Sequence, residues 1–353
     1  MVKHNSSTTA AFFLVYTVAV FLYYYFLAAP YLDGITECQA AADALTYIGL
    51  ARDFVFDDYL SFGANLFGPV LMVRLLDTNF LMVIFNYSLL LLSCDLLRRL
   101  RPGMSSFSFA VLLLNPMIFI STGAVNKEIP AIFVTVLTVF SFSRKYYSLL
   151  FISLVISVLV RWQQLVVSLL FIFFILAEKF LPFRRLTILA ILVFFLSLAF
   201  PLLLAETVSE AVSIENIVEG SSLNRSTVAM VTFNAWQDSF LYFIALPFKV
   251  VINIFGGIGK IYFLDFDSCN IYQSFAVLGS SISFLLVLIL LVVNRRKIDI
   301  SDDFLLFTLL YIVIFSLSPF VSHRYYLPIF PLLCTLIALA PKHKSTRLDF
   351  QGS

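Results

Sequence analysis

Apolar residues run through this chain in long blocks, at 11–30, 79–97, 104–123, 129–143, 146–160, 163–177, 186–205, 275–293, 303–320 and 325–340. A helix needs about 20 residues to cross roughly 30 Å of hydrocarbon, somewhat fewer where its ends snorkel. The blocks therefore predict about ten membrane-spanning helices. Two further apolar stretches read differently. The stretch 62–76 carries Arg74 and ends at Asp77, and 240–263 is interrupted by Pro247, Lys249, Gly256, Gly257, Gly259 and Lys260. Both read as interfacial or re-entrant segments, the second as a helix lying along the membrane surface.

The polar breaks supply an orientation. With the N-terminus in the cytoplasm, ten spans place Arg98/Arg99/Arg101, Arg144/Lys145, Lys179/Arg184/Arg185, Arg295/Arg296/Lys297 and Lys342/Lys344/Arg347 on one side with Lys3. That is the positive-inside arrangement, and it puts both termini in the cytoplasm. A crossing at 240–263 would move Arg295/Arg296/Lys297 outside, so it is rejected. The first block exceeds the 7–15 residues of a signal-peptide core, and Leu27-Ala28-Ala29-Pro30 is a poor cleavage site, so a retained helix is expected. The chain reads as one integral membrane domain, 1–353, of all-α class: a polytopic transmembrane bundle with interfacial helices. Its two long outward segments, 31–61 and 206–274, would build the active face. Within the second, Glu206, Glu210, Glu215 and Glu219 read as a solvated amphipathic surface helix. No internal repeat is evident, which weighs against a transporter of two matching halves.

Composition narrows the class. Of 353 residues, 61% are hydrophobic and 12% charged, against about 25% charged in soluble domains. An ordinary soluble globule is excluded. A net charge of +2 leaves no basic footprint for nucleic acid. Forty Phe and sixteen Tyr against twelve Gly and twelve Pro favour lipid-facing helices over a barrel. Cys38 and Cys269 fall on the outer side, Cys94 and Cys334 within spans. A Cys38–Cys269 disulfide would suit an oxidising compartment, and two unpaired thiols fit the sequence equally well. Three histidines and no Cys-x-x-Cys leave little for zinc.

The remaining cations are Arg52, Arg74, Lys127, Arg161, Arg225, Lys249, Lys260 and Arg324, all at or near the expected outer face. Ionisable groups in such places are costly and mark function by default. Lys127, Arg161 and Arg324 form the set best suited to an anionic lipid-linked ligand, because the arginine fork matches phosphate oxygens. Snorkelling, or local pairing of Arg52 with Asp53 and Lys127 with Glu128, is the competing account. The segment 31–61 also holds Asp33, Glu37, Asp43, Asp53, Asp57 and Asp58. Glycosyl transfer to a hydroxyl needs a carboxylate to accept the proton, and a phosphate leaving group needs cations.

A set of short motifs resembles one family. They are Asp43-Ala44-Leu45-Thr46-Tyr47 running on to Arg52, then Gly63 and Gly68-Pro69, Leu96-Leu97-Arg98-Arg99, Asn115-Pro116, and Arg324-Tyr325-Tyr326-Leu327-Pro328-Ile329-Phe330-Pro331. In this order they resemble polytopic glycosyltransferases of the GT-C superfamily, and Asn126-Lys127-Glu128 before Pro130 is similar to polysaccharide polymerases of the Wzy and EpsG kind. The chain departs from the first family's frequent paired acids, since Ala44 follows Asp43. The resemblance implies a GT-C-like enzyme of the bacterial inner membrane with its site facing the periplasm. It would transfer sugar from a polyprenyl-phosphate or diphosphate donor to a glycan or lipid-linked acceptor, in surface-polysaccharide synthesis.

It implies Asp43 as base, with Glu128 the alternative. Arg161, Arg324 and Lys127 would hold phosphate, Tyr47 or His323 would orient the acceptor, and Arg52 and Tyr325 would contribute to binding. Lys249 and Lys260 would border the lipid entrance. No cofactor is required, although a divalent cation on Asp43 with Asp265 or Asp267 is compatible. A flippase for the same lipid-linked sugar is the rival class. It calls for deep acids facing a central cavity, whereas here Asp77 and Asp95 sit near span ends and most of the other acids fall in the outer segments.

Overall fold

The computed structural model describes residues 6–41, 43–53, 64–102, 104, 106–178, 185–204, 227–259, 272–294, 302–318 and 323–337. Among these every regular element is a helix. In chain order they are α1 (Ser6–Tyr23), α2 (Ala29–Leu32), α3 (Ala44–Asp53), α4 (Ala64–Leu76), α5 (Asn79–Leu100), α6 (Ser106–Leu113), α7 (Pro116–Thr122) and α8 (Glu128–Ser143). Then come α9 (Tyr147–Val160), α10 (Trp162–Ala177), α11 (Arg185–Ala199), α12 (Thr227–Asp238), α13 (Tyr242–Gly259), α14 (Leu278–Val293), α15 (Asp303–Phe315) and α16 (Phe330–Ile337). A π-helical stretch, Tyr24–Ala28, carries α1 into α2, and a 3-10 helix, His323–Ile329, leads into α16.

Four stretches are long and apolar enough to cross a membrane: Thr9–Leu32, Asn79–Leu100, Arg185–Leu202 and Phe275–Val293. They coincide with four expected blocks. Their outer faces expose Leu14, Phe26, Leu92, Phe195 and Ile289, an apolar surface too extensive for water and suited to lipid. The other blocks form shorter helices. α8 and α10 have 16 residues each, so each is about 24 Å long. The block 104–123 is not one helix, because Pro116 has no N–H to continue the ladder. The Asn115 side chain instead accepts from the backbone N–H of Met117 (3.0 Å) and Ile118 (3.3 Å) and starts α7 afresh. The last block begins as the 3-10 turn containing Pro328 and becomes α-helical only at Phe330.

Within 240–263, Tyr242–Gly259 form one continuous helix, α13, with Pro247 inside it, and it packs on α14 and the 3-10 helix. Ala245, Lys249 and Asn253 recur every four residues, share one face, and are all buried. Lys249 therefore does not border a lipid entrance. Its ammonium donates to Gln237 Oε1 and to the Ser318 carbonyl, the latter at 2.9 Å. Lys260 lies outside the described residues. Cys38 is disulfide-bonded, Cys94 and Cys334 are buried free thiols, and Cys269 lies outside the described residues.

The centre of the fold is α8. All residues from Glu128 to Ser141 except Phe133 are buried, the pattern of a helix enclosed on every side. It packs against α5, α9, α10, α15 and the 3-10 helix. Polar side chains tie these partners together. Gln164 Nε2 on α10 donates to the Ala131 carbonyl (2.9 Å) and Thr135 Oγ1 (2.7 Å), and Thr138 bonds Ser153 of α9 at 3.2 Å. In an apolar surround such bonds hold helices in register, at about 0.6 kcal/mol each on average.

α4 reaches the same core because Gly68 lets its backbone touch that of α9. A Cβ there would lie 2.1 Å from the Leu159 carbonyl oxygen. That neighbour is backbone and cannot swing aside. Gly68→Ala is expected to part α4 from α9 and cost about 1–3 kcal/mol, read as a lower thermal midpoint of the detergent-solubilised protein. An unchanged midpoint would contradict the close approach.

Candidate functional site

Four sequence-distant segments meet at the head of α8. The first is the turn before α3. Asp43 has φ 62°, a left-handed conformation that Asp tolerates better than most residues, and its carbonyl accepts from Tyr47 N at 3.0 Å. Strained backbone of this kind persists where surrounding packing over-determines it, often at functional sites. The packing is present: Ala41, Ala44 and Tyr47 are buried against Met82, Ala124 and Val125.

The second segment is the 123–127 loop. Asn86, buried in α5, donates to the carbonyls of Ser121 (3.3 Å) and Ala124 (2.8 Å). The Asn126 side chain accepts from Glu128 N at 2.9 Å and caps the start of α8. Two asparagines thus fix where Lys127 and Glu128 stand. The third and fourth segments are interruptions of helix. Arg161 is the single extended residue between α9 and α10 (φ −159°, ψ 112°), and Arg324 lies in the 3-10 helix before α16.

These segments assemble two ion pairs and a lysine. Arg161 donates from Nη2 to Glu128 Oε1 at 2.8 Å, with side chains only 3% and 1% exposed. Arg324 donates from Nη1 to Asp43 Oδ2, with side chains 20% and 29% exposed. The difference in exposure separates the carboxylates: Glu128 is sealed, whereas Asp43 is reachable. The Arg161 guanidinium also sits 5.7 Å from the Tyr325 ring centre and 5.9 Å from that of Phe315, within cation–π range. Its Nε and Nη1 lie buried beside the Tyr311 hydroxyl.

The electrostatics join the pairs into one cluster. Burial would raise the Asp43 pKa, but Arg324, then Lys127 and Arg161, bring it below the usual carboxylate value. Burial lowers Lys127 to about 8, with Arg161 acting in the same direction and Glu128 and Asp43 opposing. The Tyr47 hydroxyl is pushed well above its ordinary value by burial, then by Asp43 and Glu128, and stays protonated.

Of the residues singled out in the sequence, Asp43, Tyr47, Lys127, Glu128, Arg161, Arg324 and Tyr325 come together. Arg52 stands apart, exposed in the last turn of α3. The His323 side chain lies outside the described residues, as do Asp265 and Asp267 and the segments 54–63, 205–226 and 260–271 of the outer face. Among the described residues no three or more His, Cys, Asp or Glu side chains converge as metal ligands. Sequence reasoning missed Tyr311 and Phe315, which stack at 4.0 Å beside Arg161, because aromatics one turn apart in an apolar run look like any lipid-facing pair. It also missed Asn86, a lone polar residue inside an apolar run. Comparison of the chain with protein-family models, with curated proteins and with solved structures gives no match in any of the three.

Proposed function

We propose that this chain is a membrane glycosyltransferase that moves a sugar or oligosaccharide from a polyprenyl-phosphate- or diphosphate-linked donor to an acceptor hydroxyl, at the periplasmic face of a bacterial inner membrane. One observation carries the reading: a reachable carboxylate, Asp43, shares a cluster with Lys127, Arg161 and Arg324. Asp43 takes the acceptor's hydroxyl proton as that oxygen attacks the anomeric carbon from the face opposite the leaving group. The bond from anomeric carbon to phosphate oxygen breaks, the sugar inverts, and the phosphate departs as an anion. The cations stabilise that anion as its charge develops. Arg324, 20% exposed, is the cation that meets the phosphate directly, while Arg161, held by Glu128, and Lys127 add positive charge behind it. Glu128, sealed on Arg161, serves better to position that arginine than to take a proton, so Asp43 is preferred as base.

The Asp43–Arg324 pair gives the donor a second task. While Arg324 holds it, Asp43 is a poor base, with its pKa held low. A phosphate that engages Arg324 releases Asp43 and raises its proton affinity, so the base is strengthened when the donor is in place. Lys127 makes the pH dependence specific. Below about 8 it is charged and attracts the anionic donor; as pH rises through about 8 it loses the proton and the attraction. Since kcat/KM reports groups of the free enzyme, kcat/KM is expected to fall above about pH 8, and Lys127→Arg to extend the plateau upward. A profile unchanged by Lys127→Arg would remove Lys127 from donor binding. The reading itself is tested in proteoliposomes with a polyprenyl-phosphate sugar, by detecting a new glycosidic bond. Translocation of the donor without bond formation would make the chain a carrier.

A further inference from the structure

A second cluster of cations lies at the other end of α3. A cavity of about 470 Å³ opens between the end of α3, the end of α4 and the start of α5, lined among others by Tyr24, Arg52, Arg74, Asp77, Thr78 and Phe80. That volume falls in the range of small-ligand pockets, about 300–1,000 Å³. Its ionisable walls are two arginines against one aspartate, so the space favours an anion. The amino-terminal turn of α5, a 22-residue helix capped by Thr78, opens on the same cavity and adds the positive end of the helix dipole.

Depth identifies the kind of anion. Tyr24 belongs to the last third of the membrane-length stretch Thr9–Leu32, and Asn79 begins the membrane-length stretch Asn79–Leu100. The rings of Tyr24 and Phe80 lie 5.9 Å apart. A cavity beside the first turn of a membrane-length helix lies toward the headgroup end of that helix. Its aromatic and aliphatic walls, with Val73 and Met82 among them, suit the boundary between a polar head and its chains. We propose that this cavity is an anion-binding site for a phosphate-bearing headgroup, held by Arg52 and Arg74. It is separate from the Asp43–Arg324 cluster, standing roughly 12 Å away along α3, and it does not depend on the glycosyltransferase reading. The two arginines differ in how they are held. Arg74 Nε donates to the Ala51 carbonyl at 3.1 Å and ties α4 to α3. Arg52 is exposed, so its replacement spares the fold.

The test uses the whole chain with Arg324→Gln as background, which removes a cation from the other cluster. In uncharged detergent, calorimetry measures binding of inorganic pyrophosphate. In nanodiscs, native mass spectrometry counts phosphatidylglycerol retained against phosphatidylcholine. Arg52→Gln is expected to weaken pyrophosphate binding, phosphatidylglycerol retention or both by about tenfold, with the thermal midpoint unchanged; Arg52→Gln/Arg74→Gln is expected to abolish it. Loss confined to the calorimetric arm assigns the site to a soluble phosphate, and loss in the nanodisc arm assigns it to a lipid headgroup. Absence of binding in both arms, or binding in both arms indifferent to Arg52→Gln, overturns the proposal.

Discussion

Asp43→Asn is expected to lower sugar transfer by about 10²–10⁴-fold, the usual worth of a positioned general base, with little loss of protein or of donor affinity. Asparagine is nearly isosteric and its side-chain oxygen can still accept from Arg324, so the turn before α3 keeps its anchor. What disappears is the capacity to hold a proton. The measurement is single-turnover transfer with donor bound, alongside donor binding measured separately. A fall in binding with undiminished turnover would make Asp43 an anchor for Arg324 and nothing more. Glu128→Gln offers the internal comparison: if it abolished turnover while Asp43→Asn did not, the proton would have to go to the buried carboxylate.

The second large effect concerns stability. Glu128 and Arg161 form an ion pair almost wholly removed from solvent. Glu128→Ala leaves the guanidinium buried without its counter-charge, and breaking such a pair from one side costs about 3–5 kcal/mol. Removing both charges is different. Glu128→Leu/Arg161→Met replaces the pair with apolar side chains of similar bulk, an exchange that is often neutral or stabilising. The expected pattern is a chain that unfolds early in detergent as Glu128→Ala and recovers its midpoint as the double variant, yet transfers no sugar. A double variant that keeps transfer activity would remove the pair from the chemistry. Thermal unfolding and transfer assays on the three proteins separate these outcomes.

Much of this site was legible in the sequence, for a reason of cost. Charges inside or at the ends of apolar runs need an explanation, so Arg161, Lys127 and Arg324 stood out, and Asp43 did so through its setting in Asp-x-x-x-Tyr. The membrane character followed from run length and composition. Less legible was how apolar runs break. Asn115-Pro116 ends one helix and caps the next, and the run 325–340 opens as a 3-10 turn; hydropathy is blind to both because neither changes the apolar content. Lys249 misled in the opposite sense. Its charge suggested a polar rim, but its four-residue spacing with Ala245 and Asn253 turns it toward the interior, where Gln237 and Ser318 receive it. Arg52 was read with the main site because it follows Asp43 in one motif, and the length of α3 separates the two.

The central claim is that Arg161 and Arg324 jointly hold a lipid-linked phosphate beside Asp43. Native mass spectrometry of the purified chain titrated with a polyprenyl phosphate addresses it directly. The account predicts a saturable adduct on the wild-type protein, retained in Asp43→Asn and weakened at least tenfold in Arg161→Gln/Arg324→Gln. Equal retention by all three proteins would contradict it.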